Sequence, residues 1–67
     1  MKKSYHIKKH YLGEAHFYAV LEYDFNKKEV ITKCVKEYKA DAIMYCTERC
    51  KSTEVIEFEI KFDEKEV

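Results

Sequence analysis

A single glycine, Gly13, and no proline punctuate the 67-residue chain, and around that glycine the residues alternate in polarity with a period of two. Phe17, Ala19, Leu21, Tyr23 and Phe25 alternate with His16, Tyr18, Val20, Glu22 and Asp24; upstream, Tyr5, Ile7 and Tyr11 alternate with His6, Lys8 and His10. Alternation over runs of this length marks strands with one buried face, so Ser4 to Phe25 is predicted to form a β-hairpin turning at Gly13. Its register matters, because a one-residue slip turns every side chain to the opposite face. A two-residue Gly13-Glu14 loop pairs Leu12 with Ala15 and sets His6, Lys8 and His10 beside Phe17, Ala19 and Leu21, which mixes the faces. A three-residue Leu12-Gly13-Glu14 loop pairs Tyr11 with Ala15. It gathers Tyr5, Ile7, Tyr11, Ala15, Phe17, Ala19 and Leu21 on one face, with only Lys9 out of place. The second register is the expectation, although glycine at the middle of a three-residue loop is not its favoured position.

After Phe25 the period changes. Asn26, followed three residues later by Glu29, has the form of a capping box with Asn26 as the cap. At about 100° per residue, Val30, Ile31, Cys34, Val35, Tyr38, Ala42, Tyr45 and Cys46 fall within roughly 160° of arc. A strand over Glu29 to Tyr38 competes, since Val-Ile-Thr favours β structure, but it leaves each face half charged. The pattern therefore predicts one helix from about Lys27 to about Cys50. Thr53 to Phe62 returns to alternation, with Ile56, Phe58, Ile60 and Phe62 on one side and Val55, Glu57, Glu59 and Lys61 on the other. The predicted fold is a single α+β domain, residues 1–67. It is a two-layer sandwich of β-β-α-β order with a three-stranded mixed sheet and one long helix on one face. The third strand is expected parallel to the second, beside either hairpin strand.

So short a chain rarely draws more than ~3–5 kcal/mol from its core, and ten aromatic residues exceed what one small core needs. Homodimerisation would bury the surplus. The longest apolar runs, Phe17 to Leu21 and Ala42 to Cys46, are five residues each, which predicts no membrane span, no export signal and a soluble cytoplasmic protein. Three cysteines without framework spacing suit reduced thiols, with Cys34 and Cys46 as buried small hydrophobes and Cys50 as the exposed one.

Catalytic and metal constellations are weakly represented, and no cofactor is implied. Cys46 and Cys50 are four apart on the expected helix, close enough to share a metal or a redox role, but two-residue loop spacing is absent. In the expected register His10 opposes His16, with Lys8 facing Tyr18 and His6 facing Val20; two imidazoles could chelate or sense pH, but only two ligands are visible and a solvated strand face is the preferred reading. There is no phosphate loop, nucleophile elbow or paired-carboxylate motif, so the expectation is not an enzyme.

Charge is balanced overall, thirteen against thirteen, but segregated. Residues 1–12 hold four lysines and no acid, whereas residues 52–67 hold six acids and two lysines. A carboxylate-rich strand, Glu54, Glu57, Glu59, Asp63, Glu64 and Glu66, could stand in for phosphates in a basic groove of a nucleic-acid-processing enzyme. Ile43 and Met44, off the apolar arc of the helix, would serve as anchors. The β-β-α-β order and the terminal strand Glu54-Val-Ile-Glu-Phe-Glu-Ile-Lys-Phe-Asp63 resemble very small phage-encoded inhibitors of host enzymes, including uracil-DNA glycosylase inhibitors and some anti-CRISPR proteins. That resemblance, of element order and size, implies a protein that acts by occupying another protein. The leading expectation is thus a non-catalytic protein-binding module, an inhibitor of the viral or mobile-element kind. The alternative is a dimeric nucleic-acid-binding domain using Lys2, Lys3, Lys8, Lys9, His10 and Tyr18, with Tyr18 stacking on bases.

Overall fold

The computed structural model describes residues 1–52 and 54–64. Three strands, β1 (Lys2–Leu12), β2 (Ala15–Asp24) and β3 (Glu29–Lys36), precede one helix, α1 (Lys39–Cys50), and a last strand, β4 (Glu57–Glu64). They form a four-stranded sheet of order β3-β2-β1-β4. β1–β2 and β2–β3 are antiparallel, and β1–β4 is parallel. The two-layer α+β arrangement agrees with the sequence pattern; the strand count and order do not. The order is β-β-β-α-β, so the resemblance in element order to the small phage inhibitors is lost.

The expected long helix is the source of that difference. Glu29–Lys36 of that segment is β3, and α1 is only 12 residues long. A register shift opposite Val20 and Leu21 explains the misleading period: Cα partners run Ile31↔Glu22 and Thr32↔Leu21, then Cys34↔Val20 and Val35↔Ala19, leaving Lys33 as an inserted residue. The bulge lets both Ile31 and Cys34 share the helix-side face, an i, i+3 spacing that imitates a helix inside a strand. It also turns Lys33 to within 3.6 Å of Glu22. Once β2 offers a ladder, the β-branched residues Val30, Ile31, Thr32 and Val35 pack better on a pleated surface than on a helix. The Asn26-to-Glu29 signal belongs to a turn. Asp24 Oδ1 accepts hydrogen bonds from the backbone N–H groups of Asn26 (2.9 Å) and Lys27 (3.1 Å), and Lys28 adopts a positive φ of 56°. Short polar side chains satisfy local N–H groups at helix starts and turns alike, so the two signals look the same in sequence. The real start of α1 has Tyr38 at the cap position with no side-chain hydrogen bond.

The hairpin takes the register that the polarity pattern disfavoured. Leu12 pairs with Ala15, and Gly13-Glu14 is a two-residue loop. Gly13 has φ +63° while Glu14 does not have a positive φ, the arrangement of a type II′ turn with glycine at its first central position. Turn geometry thus overrides face purity: the twist of a II′ turn matches that of the strands it joins. Tyr5, Ile7, Tyr18 and Val20 face α1, and Phe17, Ala19 and Leu21 lie on the opposite face with His6, Lys8 and His10.

β4 is also displaced from expectation. With β3 on the free edge of β2, the returning chain takes the free edge of β1, and its direction is parallel to β1 rather than to β2. Of its predicted start, Thr53 lies outside the described residues. Backbone bonds Val55 N–H to Ser52 O (3.0 Å) and Ile56 N–H to Met1 O (2.9 Å) turn the chain into the sheet.

The core lies between α1 and the three strands β1, β2 and β3, with Tyr5, Ile7, Val20 and Cys46 its largest fully enclosed side chains. Four strands at about 4.8 Å spacing make a sheet about 19 Å wide, and one helix is about 10 Å across. α1 therefore cannot cover the whole sheet, and on β4 Phe58 and Phe62 stay 54% and 47% exposed. No helix among the described residues is long and apolar enough to cross a membrane.

Candidate protein-binding surface

The face of the sheet away from α1 has no second layer among the described residues. Cα pairing places Val30, Thr32 and Val35 of β3, Phe17, Ala19, Leu21 and Tyr23 of β2, His6, Lys8 and His10 of β1, and Glu57, Glu59 and Lys61 of β4 on it. Its β3–β2 half is apolar: Val30 and Val35 are exposed, and Phe17, Leu21 and Tyr23 are half-buried. Ala19 is nearly enclosed here without any helix above it, with Lys8 and Val35 as its partners on the neighbouring strands. At the hairpin end His10 stacks on Phe17, ring centroids 5.1 Å apart and planes 14° from parallel, and Leu12 is exposed beside them. At the opposite end Tyr23 meets Phe25 edge-on at 4.7 Å, and the Lys2 ammonium sits 5.4 Å from the Phe25 ring centre. The β1–β4 half is charged with both signs, and Lys2 reaches Glu57 at 4.0 Å while Lys61 reaches Glu59 at 3.6 Å.

On the helix side, three strands contribute one ion cluster. Glu22 lies 3.2 Å from Lys3 and 3.6 Å from Lys33, and its side chain is largely buried. Burial alone would push the Glu22 carboxyl up; the Tyr5 hydroxyl and the Lys3 and Lys33 ammonium groups outweigh it and hold the carboxyl below its ordinary value. Burial, followed by the Glu22 carboxylate, pushes the Tyr5 hydroxyl well above its usual range. No hydrogen bond of acceptable geometry reaches that enclosed hydroxyl, so its coupling to Glu22 is electrostatic. The cluster borders an open cleft of about 570 Å³ that also meets Arg49, Glu48 and Glu54. Its cations are already engaged: Lys3 and Lys33 on Glu22, Arg49 4.0 Å above the Tyr45 ring, and the Met1 ammonium donating to Glu54 O at 2.8 Å. The arrangement ties three strands together at one end of the sheet.

The residues expected to bind a partner are divided by the fold. Glu57 and Glu59 are exposed on the helix-free face. Glu54 lies in the turn before β4, where its N–H donates to Ser52 Oγ. Met44 is exposed on the helix, in the other layer, and Ile43 is half-buried against the core. Asp63 and Glu64 extend the backbone of β4, but their side chains, like Glu66, lie outside the described residues.

The alternative nucleic-acid set is divided too. Lys2, Lys8 and His10 share the helix-free face, whereas Lys3, Lys9 and Tyr18 point to the helix side. Tyr18 is buried in the core. His10 and His16, expected to oppose each other, lie on opposite faces: His16 packs against Tyr11 and, edge-on, against Tyr18. Cys46 and Cys50 are both buried, correcting the expected exposure of Cys50, while Cys34 is only half-buried. Burial pushes the Cys46 thiol up to about 11 and the Cys50 thiol upward as well, which keeps both protonated at neutral pH. Among the described residues no group of three or more His, Cys, Asp or Glu side chains is placed to hold a metal ion.

The apolar strip on the helix-free face is what the polarity pattern misses, because that pattern places Phe17 and Leu21 in the core and Val30 and Val35 on a helix. The legible signal was the glycine in first position of a two-residue loop, which selects the register that exposes Phe17 and Leu21. No protein-family model, curated protein or solved structure matches the chain.

Proposed function

We propose that the chain is a non-catalytic protein-binding module that takes its partner on the helix-free face of the sheet. The observation that carries this is the uncovered apolar strip of Phe17, Leu21, Val30 and Val35, bordered by charges of both signs on β1 and β4. An apolar centre with a mixed polar rim is the anatomy of a protein interface. Glu57 and Glu59 favour a protein over a nucleic acid on this face, since they lie in one plane with the lysines, repel phosphate and already engage Lys2 and Lys61. The partner is a protein with a flat apolar surface flanked by charges of both signs, and the chain acts by occupancy, inhibiting whatever that surface serves.

The test is comparative affinity capture at about 0.15 M salt, near the physiological ionic strength at which surface charges are screened beyond about 8 Å. The baits are the wild-type chain, a Val30→Lys/Val35→Lys variant and a Thr47→Lys variant on the exposed helix surface, each with and without nuclease. A protein held by wild type and by Thr47→Lys, lost with Val30→Lys/Val35→Lys, and indifferent to nuclease supports the reading. Capture unaffected by the β3 substitutions, or abolished by nuclease, overturns it.

A further inference from the structure

β4 is an edge of the sheet, and its outer side pairs with no described element. Its pairing with β1 runs without a shift from Lys2↔Glu57 to Lys9↔Glu64, so neither a bulge nor a proline blunts the edge. Glu57, Glu59, Lys61, Phe58 and Phe62 are all exposed, and Ile60 is half-buried against the core. Open backbone donors and acceptors along such an edge favour another strand, and the sequence of β4 determines which strand suits it.

We propose that β4 pairs antiparallel with β4 of a second copy of this chain, about a two-fold axis passing through Ile60, to give one continuous eight-stranded sheet. An axis perpendicular to the sheet keeps the two helices on the same side and requires one residue to face its own copy. Centred on Ile60, the ladder sets Glu59 opposite the second copy's Lys61 twice on the helix-free face. It sets Phe58 opposite Phe62 twice on the helix side. A centre at Glu59 would set carboxylate against carboxylate, and a centre at Lys61 ammonium against ammonium. Of the centres at Glu59, Ile60 and Lys61, the charge pattern thus selects Ile60. Glu59 and Lys61 already lie 3.6 Å apart along one strand, so the dimer joins two such pairs into an alternating group of four charges. Lys2, 4.0 Å from Glu57, adds a positive charge toward each end of the ladder.

The helix side gives an independent reason. α1 lies over β1, β2 and β3 and leaves Phe58 and Phe62 of β4 half exposed. The two-fold axis brings two such strips together in the gap between two helices, where cross-strand aromatic pairs bury surface that one short helix covers only in part, the Lys39 ammonium of α1 lying 5.0 Å from the Phe62 ring centre. This inference goes beyond the partner-binding reading and does not depend on it, because it concerns the sheet edge and not the helix-free face.

Sedimentation equilibrium over a concentration series tests it, with circular dichroism confirming that each variant is folded. Wild type is expected at twice the 8.1 kDa chain mass. Lys61→Glu and Glu59→Lys each turn two attractive cross-strand pairs into repulsive ones, and each should weaken dimerisation about tenfold or more. The double variant Glu59→Lys/Lys61→Glu restores opposite charges at both pairs and should recover the dimer. A wild-type chain that stays monomeric up to about 1 mM, where association is worth only ~4 kcal/mol, overturns the proposal. So does a dimer indifferent to the single substitutions, or a folded double variant that fails to recover.

Discussion

Truncating Val20 and Leu21 to alanine, one at a time, reads which face of β2 is the core. The two residues adjoin in sequence and point to opposite sides of the sheet. Val20 is 0% exposed, paired with Ile7 and Cys34 beneath α1. Val20→Ala removes two methylene equivalents, about 1.6 kcal/mol of transfer free energy at ~0.8 kcal/mol each. A residual cavity of about 50 Å³ would add roughly 1.2 kcal/mol at ~24 cal/mol per Å³, for a total near 3 kcal/mol. Leu21→Ala removes three equivalents, worth about 2.4 kcal/mol if fully buried. Leu21 is half-buried on an open face where no closed cavity forms, so its cost should be near 1 kcal/mol. The smaller truncation is therefore expected to cost about three times the larger one. Urea unfolding at one fixed protein concentration measures this. With an m-value of about 1 kcal/mol/M, the midpoint should fall by about 3 M for Val20→Ala and about 1 M for Leu21→Ala. If Leu21→Ala costs as much as Val20→Ala or more, Leu21 belongs to the core and the two-residue hairpin register is wrong.

Gly13 sits at φ +63° with open space around it, so Gly13→Ala meets no clash but strains the backbone. A loss of about 1 kcal/mol, seen as a Tm lower by about 4–8 °C, is expected, and an unchanged Tm would contradict the turn assignment. Lys28 adopts φ 56° with an ordinary side chain, so Lys28→Gly should raise Tm by a few degrees, whereas a fall would show that no strain resides there. Glu22 has a folded-state value below its ordinary 4.5, so its contribution to stability is present above that value and is lost as pH falls from 4.5 through the folded value. Glu22→Gln should lower stability at neutral pH and flatten the acid limb of the stability curve; a limb of unchanged slope would remove Glu22 from the account. Cys46, enclosed and raised to about 11, should react with a thiol reagent at about pH 8 only through unfolding, at a rate that climbs with urea. Rapid native-state labelling of Cys46 would show that the thiol is accessible.

Much of this structure is local and legible. The hairpin around Gly13, the helix through Ala42 and Cys46, and the terminal strand with Phe58, Ile60 and Phe62 on one side all follow from periodicity and turn chemistry. Of the candidate site, the exposure of Glu57 and Glu59 was readable from alternation. Their separation from Met44 was not, because it depends on which layer each element enters. Residues 29–36 show why the rest was hidden. Their inward positions, Ile31 and Cys34, carry helical spacing only because a bulge at Lys33 shifts the strand, and that bulge exists only against β2.

The sequence by itself determined part of the local geometry: that the chain turns at Gly13, and which segments alternate around it and at the C-terminal strand. Tertiary structure alone decided that Val30 to Val35 is a strand, that Phe17 and Leu21 face away from the helix, and that β4 lies beside β1. The physical reason is that local pattern states a period but not a partner. Which face is buried, and which edge is filled, depends on hydrogen-bond ladders and packing with residues far away in the chain, and those energies exceed the small local preferences they override.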